Sequence, residues 1–197
     1  MTTDVILHYS RVSPQPDSWD VTQLFKDLAP NYFPSRVAWP RVLALWLLRR
    51  AFVHAGQSFE FSSLKRLPNG QAVVAGEWSF SISHSEHWVA VALSRLPVGV
   101  DVERAARVLE KHLRFLNIQN LGAALTPAEQ WVTLEAVAKL RGDGILKCRG
   151  LVMRGPEAQL AEHRIAIERL AIDDHWVAIA SPKLGFTVEK IEHAHLP

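Results

Sequence analysis

Three carboxylates and a lysine carry most of the chemistry open to this sequence. In VGVDVE, Val98, Val100 and Val102 alternate with Gly99, Asp101 and Glu103. Side chains on a strand point to opposite faces in turn, so the two acids share a face about 7 Å apart. Acids at that spacing repel unless water, a base or a cation lies between them, and hard oxygen ligands suit a divalent cation. A half-buried strand with a solvated acidic face gives the same pattern. In WVTLEAVAKLRGDG, Glu135 and Lys139 lie one helical turn apart on one face. Taken alone, they read equally as a surface ion pair, which contributes little. Upstream, FSISHS ends an apolar run with Ser83, His84 and Ser85. Together, three acids, a lysine one turn from the third, and hydroxyl and imidazole groups are what a magnesium-assisted displacement on a pyrophosphate requires.

Several elements must position these groups. Thr126, Pro127 and Glu129 occupy the N-cap, first and third positions of a capping box, which predicts a helix that stops near Gly142. RGDG at that point reads as a helix stop, since no P-loop sequence is present. A second helix is predicted from an N-cap at Ser35 to Gly56, apolar nearly all round from Val37 to Val53 and therefore buried. Strands are predicted over residues 5–9, 77–83, 87–94 and 98–103, with further strands in ILKCRGLVM, HRIAIERLAI and HWVAIAS. Pro68, Asn69 and Gly70 supply a turn. EHWVAVA at 86–92 recurs as DHWVAIA at 174–180, an offset of 88 residues that also maps the later helix onto the earlier one. The expected fold is therefore α+β. It consists of two similar halves, 1–95 and 96–197, related by pseudo-twofold symmetry, each a long helix packed on a small antiparallel sheet, with a binding cleft between them.

Composition narrows the classes further. The chain has 197 residues, enough for one domain with a sizeable core, and is 48% hydrophobic. No stretch approaches the roughly 20 apolar residues that span a bilayer. Its N-terminus lacks the basic and apolar regions of a secretory signal, and a single cysteine, Cys148, suits a reducing compartment. The expected location is cytoplasmic. A net charge of +2 is too small for a dedicated nucleic-acid binder. Basic clusters at Arg36, Arg41, Arg49 and Arg50, at Lys65 and Arg66, and from Arg104 to Arg114 read either as solvated faces or as surfaces for phosphates or an acidic protein. Ser83 beside His84 does not form a hydrolase site, because no nucleophile elbow is present and adjacent strand residues point apart. His193 and His195 read as a solvated tail.

Three of these motifs together resemble the Sfp-type 4'-phosphopantetheinyl transferases, most closely in layout the short bacterial members. That family reads FNxSHS, (V/I)G(V/I)DxE and WxxKEAxxK in order; here the sequence has FSISHS, VGVDVE and WVTLEAVAK at comparable spacing. SRVAWPRVLA is similar to the family's arginine-containing entrance to its first long helix. The resemblance implies transfer of phosphopantetheine from coenzyme A to a serine of an acyl or peptidyl carrier protein with an acidic surface. It implies Mg2+ held by Asp101, Glu103 and Glu135, with Glu135 also the base and Lys139 stabilising the departing 3',5'-ADP. Arg36, Arg41, Gly70, Gln71, Ser83, His84 and Lys139 are implied to bind coenzyme A. The cleft lies within one chain, so a monomer is expected. Three departures stand out: Leu134 replaces a lysine of the family, Gly70-Gln71-Ala72 replaces Gly-Lys-Pro, and the segment between Glu103 and Trp131 lacks the family's usual Phe and Glu pattern. They keep an alternative open, a degenerate relative that binds coenzyme A or a carrier protein without transfer.

Overall fold

The computed structural model describes residues 3–12, 39–68, 71–74, 76–108, 110–115 and 124–193. The fold is mixed α and β. Strand β1 (Val5–Arg11) precedes helix α1 (Trp39–His54), the hairpin β2 (Leu64–Arg66) and β3 (Ala72–Val74), and strands β4 (Ser79–Ser85), β5 (Trp88–Ser94) and β6 (Gly99–Arg104). Helices α2 (Glu110–Phe115) and α3 (Pro127–Arg141) follow, then β7 (Val152–Arg154), β8 (Glu157–Leu160), β9 (His163–Ile172), β10 (His175–Ser181) and β11 (Val188–His193). One sheet runs β11-β1-β5-β4 and a second runs β6-β10-β9-β8-β7.

Alternation along the strands explains how these layers stack. On β5 every residue is buried, which is why its sequence reads as an unbroken apolar run. Val89, Val91 and Leu93 pack with Leu43, Leu47 and Phe52 of α1. Trp88, Ala90 and Ala92 turn the other way and meet Val100 and Val102 of β6 and Val177 and Ile179 of β10. The opposite face of β10, with Ala178 and Ala180, packs with Val132, Ala136 and Val137 of α3. Helix α1 thus covers one sheet, α3 covers the other, and the two sheets bury their inner faces against each other. Arg104 ties their ends together: it donates from Nη1 to Glu86 at 3.1 Å and from Nε to Asp174 at 2.6 Å.

Helix α3 starts and stops as its sequence requires. Thr126 Oγ1 accepts from the Glu129 N–H at 3.3 Å, while Glu129 Oε2 accepts from the Thr126 N–H at 2.8 Å. These bonds satisfy two of the donors that a helix start leaves open. Gly142 closes the helix in the left-handed conformation, φ 67°. Its approach to β6 is close enough that a Cβ at Gly99 would stand 1.9 Å from the Ala136 carbonyl oxygen.

Three expectations are corrected. The ILKCRGLVM segment is not one strand, because Ile145–Cys148 forms a 3-10 turn and only Val152–Arg154 is extended. His193 is not part of a solvated tail: it ends β11, which pairs in parallel with β1, and its Nε2 lies 2.8 Å from His8 Nδ1. That parallel pair also means the first sheet is not purely antiparallel. The predicted N-cap at Ser35 and His195 fall outside the described residues.

Candidate active site

The acids of β6 do not face solvent. Asp101 and Glu103 lie on the α3 side of the strand, as Gly99 does, and Asp101 is only 6% exposed. The acids therefore meet protein groups. Lys139 Nζ donates to Asp101 Oδ1 at 2.7 Å, and Ser83 Oγ donates to the same oxygen at 2.7 Å. Glu103 Oε1 accepts from Ser85 Oγ and from the Arg104 N–H at 2.9 Å. Arg107 Nη1 approaches Glu103 Oε1 at 3.7 Å from the exposed side. The surface-pair reading of Glu135 and Lys139 is thus replaced: the lysine pairs with Asp101 across the α3–β6 contact, and Glu135 makes no hydrogen bond or ion pair with a described residue.

Electrostatics follows from this burial. Loss of solvent raises the Asp101 pKa, and Lys139 offsets part of that rise. Glu135 is raised as well, first by burial and then by the negative charges of Asp101 and Glu103. A carboxylate shifted in that direction is a stronger proton acceptor than an exposed one. His84 is shifted down, first by desolvation and then by the charges of Lys139 and Arg41.

A cavity of about 750 Å³ opens beside the cluster. Its wall carries Arg41 of α1, Arg66 of β2, Gln71, His84, Lys139, Arg141 in the last turn of α3 and Lys147 beyond that helix. Phe80, Ile82 and Leu45 supply an apolar surface. A cavity of this size and charge suits a phosphorylated organic molecule. Lys139 belongs both to its wall and to the Asp101 pair, which links the cavity to the acids.

The structure sorts the sequence-derived candidates. Asp101, Glu103, Glu135, Lys139 and Ser83 come together, while His84, Gln71, Arg41 and Lys139 line the cavity. Arg36 and Gly70 lie outside the described residues. Ser83 is buried against Asp101 and the β6 backbone: its hydroxyl donates to Asp101 and accepts from the Val102 N–H. Leu134 is fully buried in the core beneath α3. A lysine there would point into that core. Sequence reading missed Arg141 and Lys147 as cavity residues. Asp143 holds both, accepting from Arg141 at 3.3 Å and from Lys147 at 2.9 Å; RGDG had signalled only a helix stop.

The donor set fits a hard divalent cation in its chemistry. One oxygen of Asp101 and one of Glu103 are saturated by hydrogen bonds, while Asp101 Oδ2, Glu103 Oε2 and both Glu135 oxygens have no partner among the described residues. As these side chains stand, no three His, Cys, Asp or Glu side chains among the described residues lie close enough together to hold a metal ion. Binding would require Glu135 to turn toward Asp101. No protein-family model matches the chain, and no curated protein matches it. No helix among the described residues is long and apolar enough to cross a membrane.

Proposed function

We propose that this protein is a metal-assisted group transferase acting on a pyrophosphate-bearing substrate. More specifically, it is a 4'-phosphopantetheinyl transferase that moves phosphopantetheine from coenzyme A to a serine of an acyl or peptidyl carrier protein. The observation that carries the reading is the clustering of Asp101, Glu103, Glu135 and Lys139 beside a cation-lined cavity of about 750 Å³. The resemblance of three ordered motifs narrows it to this substrate. A pseudo-twofold arrangement of two halves, 1–95 and 96–197, belongs to the same reading. It is supported by the repeated HWVA strands and by one long helix packed on each main sheet. A monomer in a reducing, cytoplasmic setting completes the proposal, with the lone Cys148 thiol buried and unpaired.

The residues divide the work. Asp101, Glu103 and Glu135 would hold Mg2+ through their unengaged oxygens, and the ion would neutralise charge on the pyrophosphate. Arg41, Arg66 and His84 bind the phosphates and nucleotide from the cavity wall, with Gln71 at its edge. Glu135 accepts the proton of the carrier serine hydroxyl as that oxygen bonds to the pantetheine-bearing phosphorus. The phosphorus–oxygen bond to 3',5'-ADP breaks, and Lys139 stabilises the negative charge that leaves. Positioning and charge neutralisation supply most of the acceleration in such transfers.

Intact-mass spectrometry tests the activity. An apo carrier protein incubated with this protein, coenzyme A and Mg2+ should gain about 340 Da, the phosphopantetheine mass, and should gain nothing in EDTA. Coenzyme A binding without mass gain across several carriers would favour the degenerate binder.

A further inference from the structure

Strand β11 is the outermost strand of the first sheet, and none of its residues is fully buried. Among the described residues it pairs with β1 alone, so side-chain contacts must help to hold it there. The parallel register sets Glu189, Ile191 and His193 beside Ile6, His8 and Ser10, on the face that α1 covers. At the start of β11, His54 of α1 meets Glu189 at 3.1 Å. At its end, His193 Nε2 lies 2.8 Å from His8 Nδ1, and Ser10 Oγ donates to the His193 carbonyl at 2.8 Å. The His8 and His193 rings stack at 5.0 Å, and His54 stands T-shaped to His8 at 5.6 Å.

Few charges share this face. Helix α1 supplies His54 and the Arg50 guanidinium, which lies over the Trp46 ring beside His193. Strand β11 supplies His193 and the one acid, Glu189, which His54 engages. Strand β5 is apolar here, with Val89 and Val91. Between two imidazole nitrogens one ring must donate and the other accept. His8 Nε2 is buried without a partner among the described residues, so a charged His8 has no acceptor for its second N–H and lies close to Arg50. Burial and then the charges of His193, His54 and Arg50 accordingly push the His8 pKa down to about 3, and burial with Arg50 lowers that of His193.

We infer that the His8–His193 pair is a proton-operated latch for the C-terminal end of β11: it is closed while both rings are neutral, and acid opens it so that this end of the strand leaves β1. The device is independent of the transferase reading. Opening exposes His8 to water, where it takes up a proton at its ordinary value of 6.5. Below that value each pH unit favours the open form by up to about 10-fold through His8 alone. His54 acts in the opposite sense, because its protonated ring binds Glu189 as an ion pair. The strand therefore frays from His193 and not from Val188.

Hydrogen–deuterium exchange of the full chain at about pH 7.5 and about pH 5.5, corrected for the intrinsic pH dependence of amide exchange, tests the latch. Protection across the β1–β11 boundary at residues 191–193 should fall by about 10-fold between the two, while β9 and β10 keep theirs. His8→Asn, whose amide can stand in for Nδ1 but takes no proton, should abolish the fall. His54→Gln, at an exposed position, should leave it in place. Equal protection at both pH values, an undiminished fall in His8→Asn, loss of the fall in His54→Gln, or a matching loss in β9 and β10 would overturn the latch. Should His8→Asn fail to fold, the His8 ring signal of the unsubstituted protein decides by NMR. Proton uptake in step with the loss of protection supports the latch, and a ring that charges while residues 191–193 stay protected overturns it.

Discussion

Replacing Gly99 by alanine probes the contact on which the site depends. The added Cβ would lie 1.9 Å from the Ala136 carbonyl oxygen and 2.6 Å from the Leu140 nitrogen, both backbone atoms that no rotamer change can move aside. Real Cβ contacts essentially never fall below 3.0 Å, so α3 must shift outward by at least 1.1 Å. Overpacking of this kind costs about 1–3 kcal/mol. For a chain of this size that corresponds to a fall in Tm of about 2–12 °C. The same displacement carries Lys139 away from Asp101, where the present separation is 2.7 Å, and takes that bond beyond hydrogen-bonding range. Thermal unfolding by circular dichroism and a single-turnover transfer assay should therefore report losses together. Unchanged stability with unchanged transfer in Gly99→Ala would refute the close α3–β6 contact as the device that aligns the acids with the lysine.

Other outcomes follow from particular residues. Leu134→Lys restores the residue usual in the resembling family but puts an ammonium into the core under α3, where Leu134 is 0% exposed. Burying an unpaired charge costs several kcal/mol, so calorimetry should show a lower Tm and no gain in coenzyme A affinity; a stable variant with tighter binding would contradict this. His8 is 2% exposed, and burial, followed by the charges of His193, His54 and Arg50, pushes its pKa down to about 3. Between its unfolded value of 6.5 and about 3, the unfolded chain binds a proton that the folded one does not. Stability contributed by the neutral ring is thus complete above pH 6.5 and is lost as pH falls through that window, by up to about 1.4 kcal/mol per pH unit. Urea unfolding across that range, with the His8 ring followed by NMR, checks the sign. A His8 that titrates at its ordinary value in the folded state would contradict it.

Much of the fold was legible because local signals carried it. The capping box at Thr126, the all-round apolar run of α1 and the alternation in VGVDVE each depend on near neighbours, and each appears where its pattern put it. What alternation left open was the partner of the acidic face. Solvent and protein give the same period of two, and only the approach of α3 at Gly99 decides between them. The lysine was legible as a site residue, but its bond to Asp101 spans 38 residues and belongs to tertiary packing. The Ser83 bond to Asp101 lay out of reach for the same reason, since strand parity fixes a face and not what lies across it. The role of β11 was hidden because its burial is only partial: Val188–His193 alternates between intermediate and exposed residues, and its stability comes from the ladder to β1. Lys147 was hidden because a turn beyond a helix end is placed by the neighbouring elements, and Arg141 because the last turn of α3 carries no pattern that says what it faces.

The most direct test of the central claim is the rate of phosphopantetheine transfer by Glu135→Gln, followed by intact mass of the carrier at saturating Mg2+ and coenzyme A. Glutamine keeps the shape of the side chain but can neither accept the proton nor contribute a charge to the ion. Transfer should fall by about 10²–10⁴-fold, the contribution typical of a general base, while coenzyme A affinity and thermal stability stay close to those of the unsubstituted protein. Turnover at the unsubstituted rate would contradict the assignment of Glu135 as base and cation ligand.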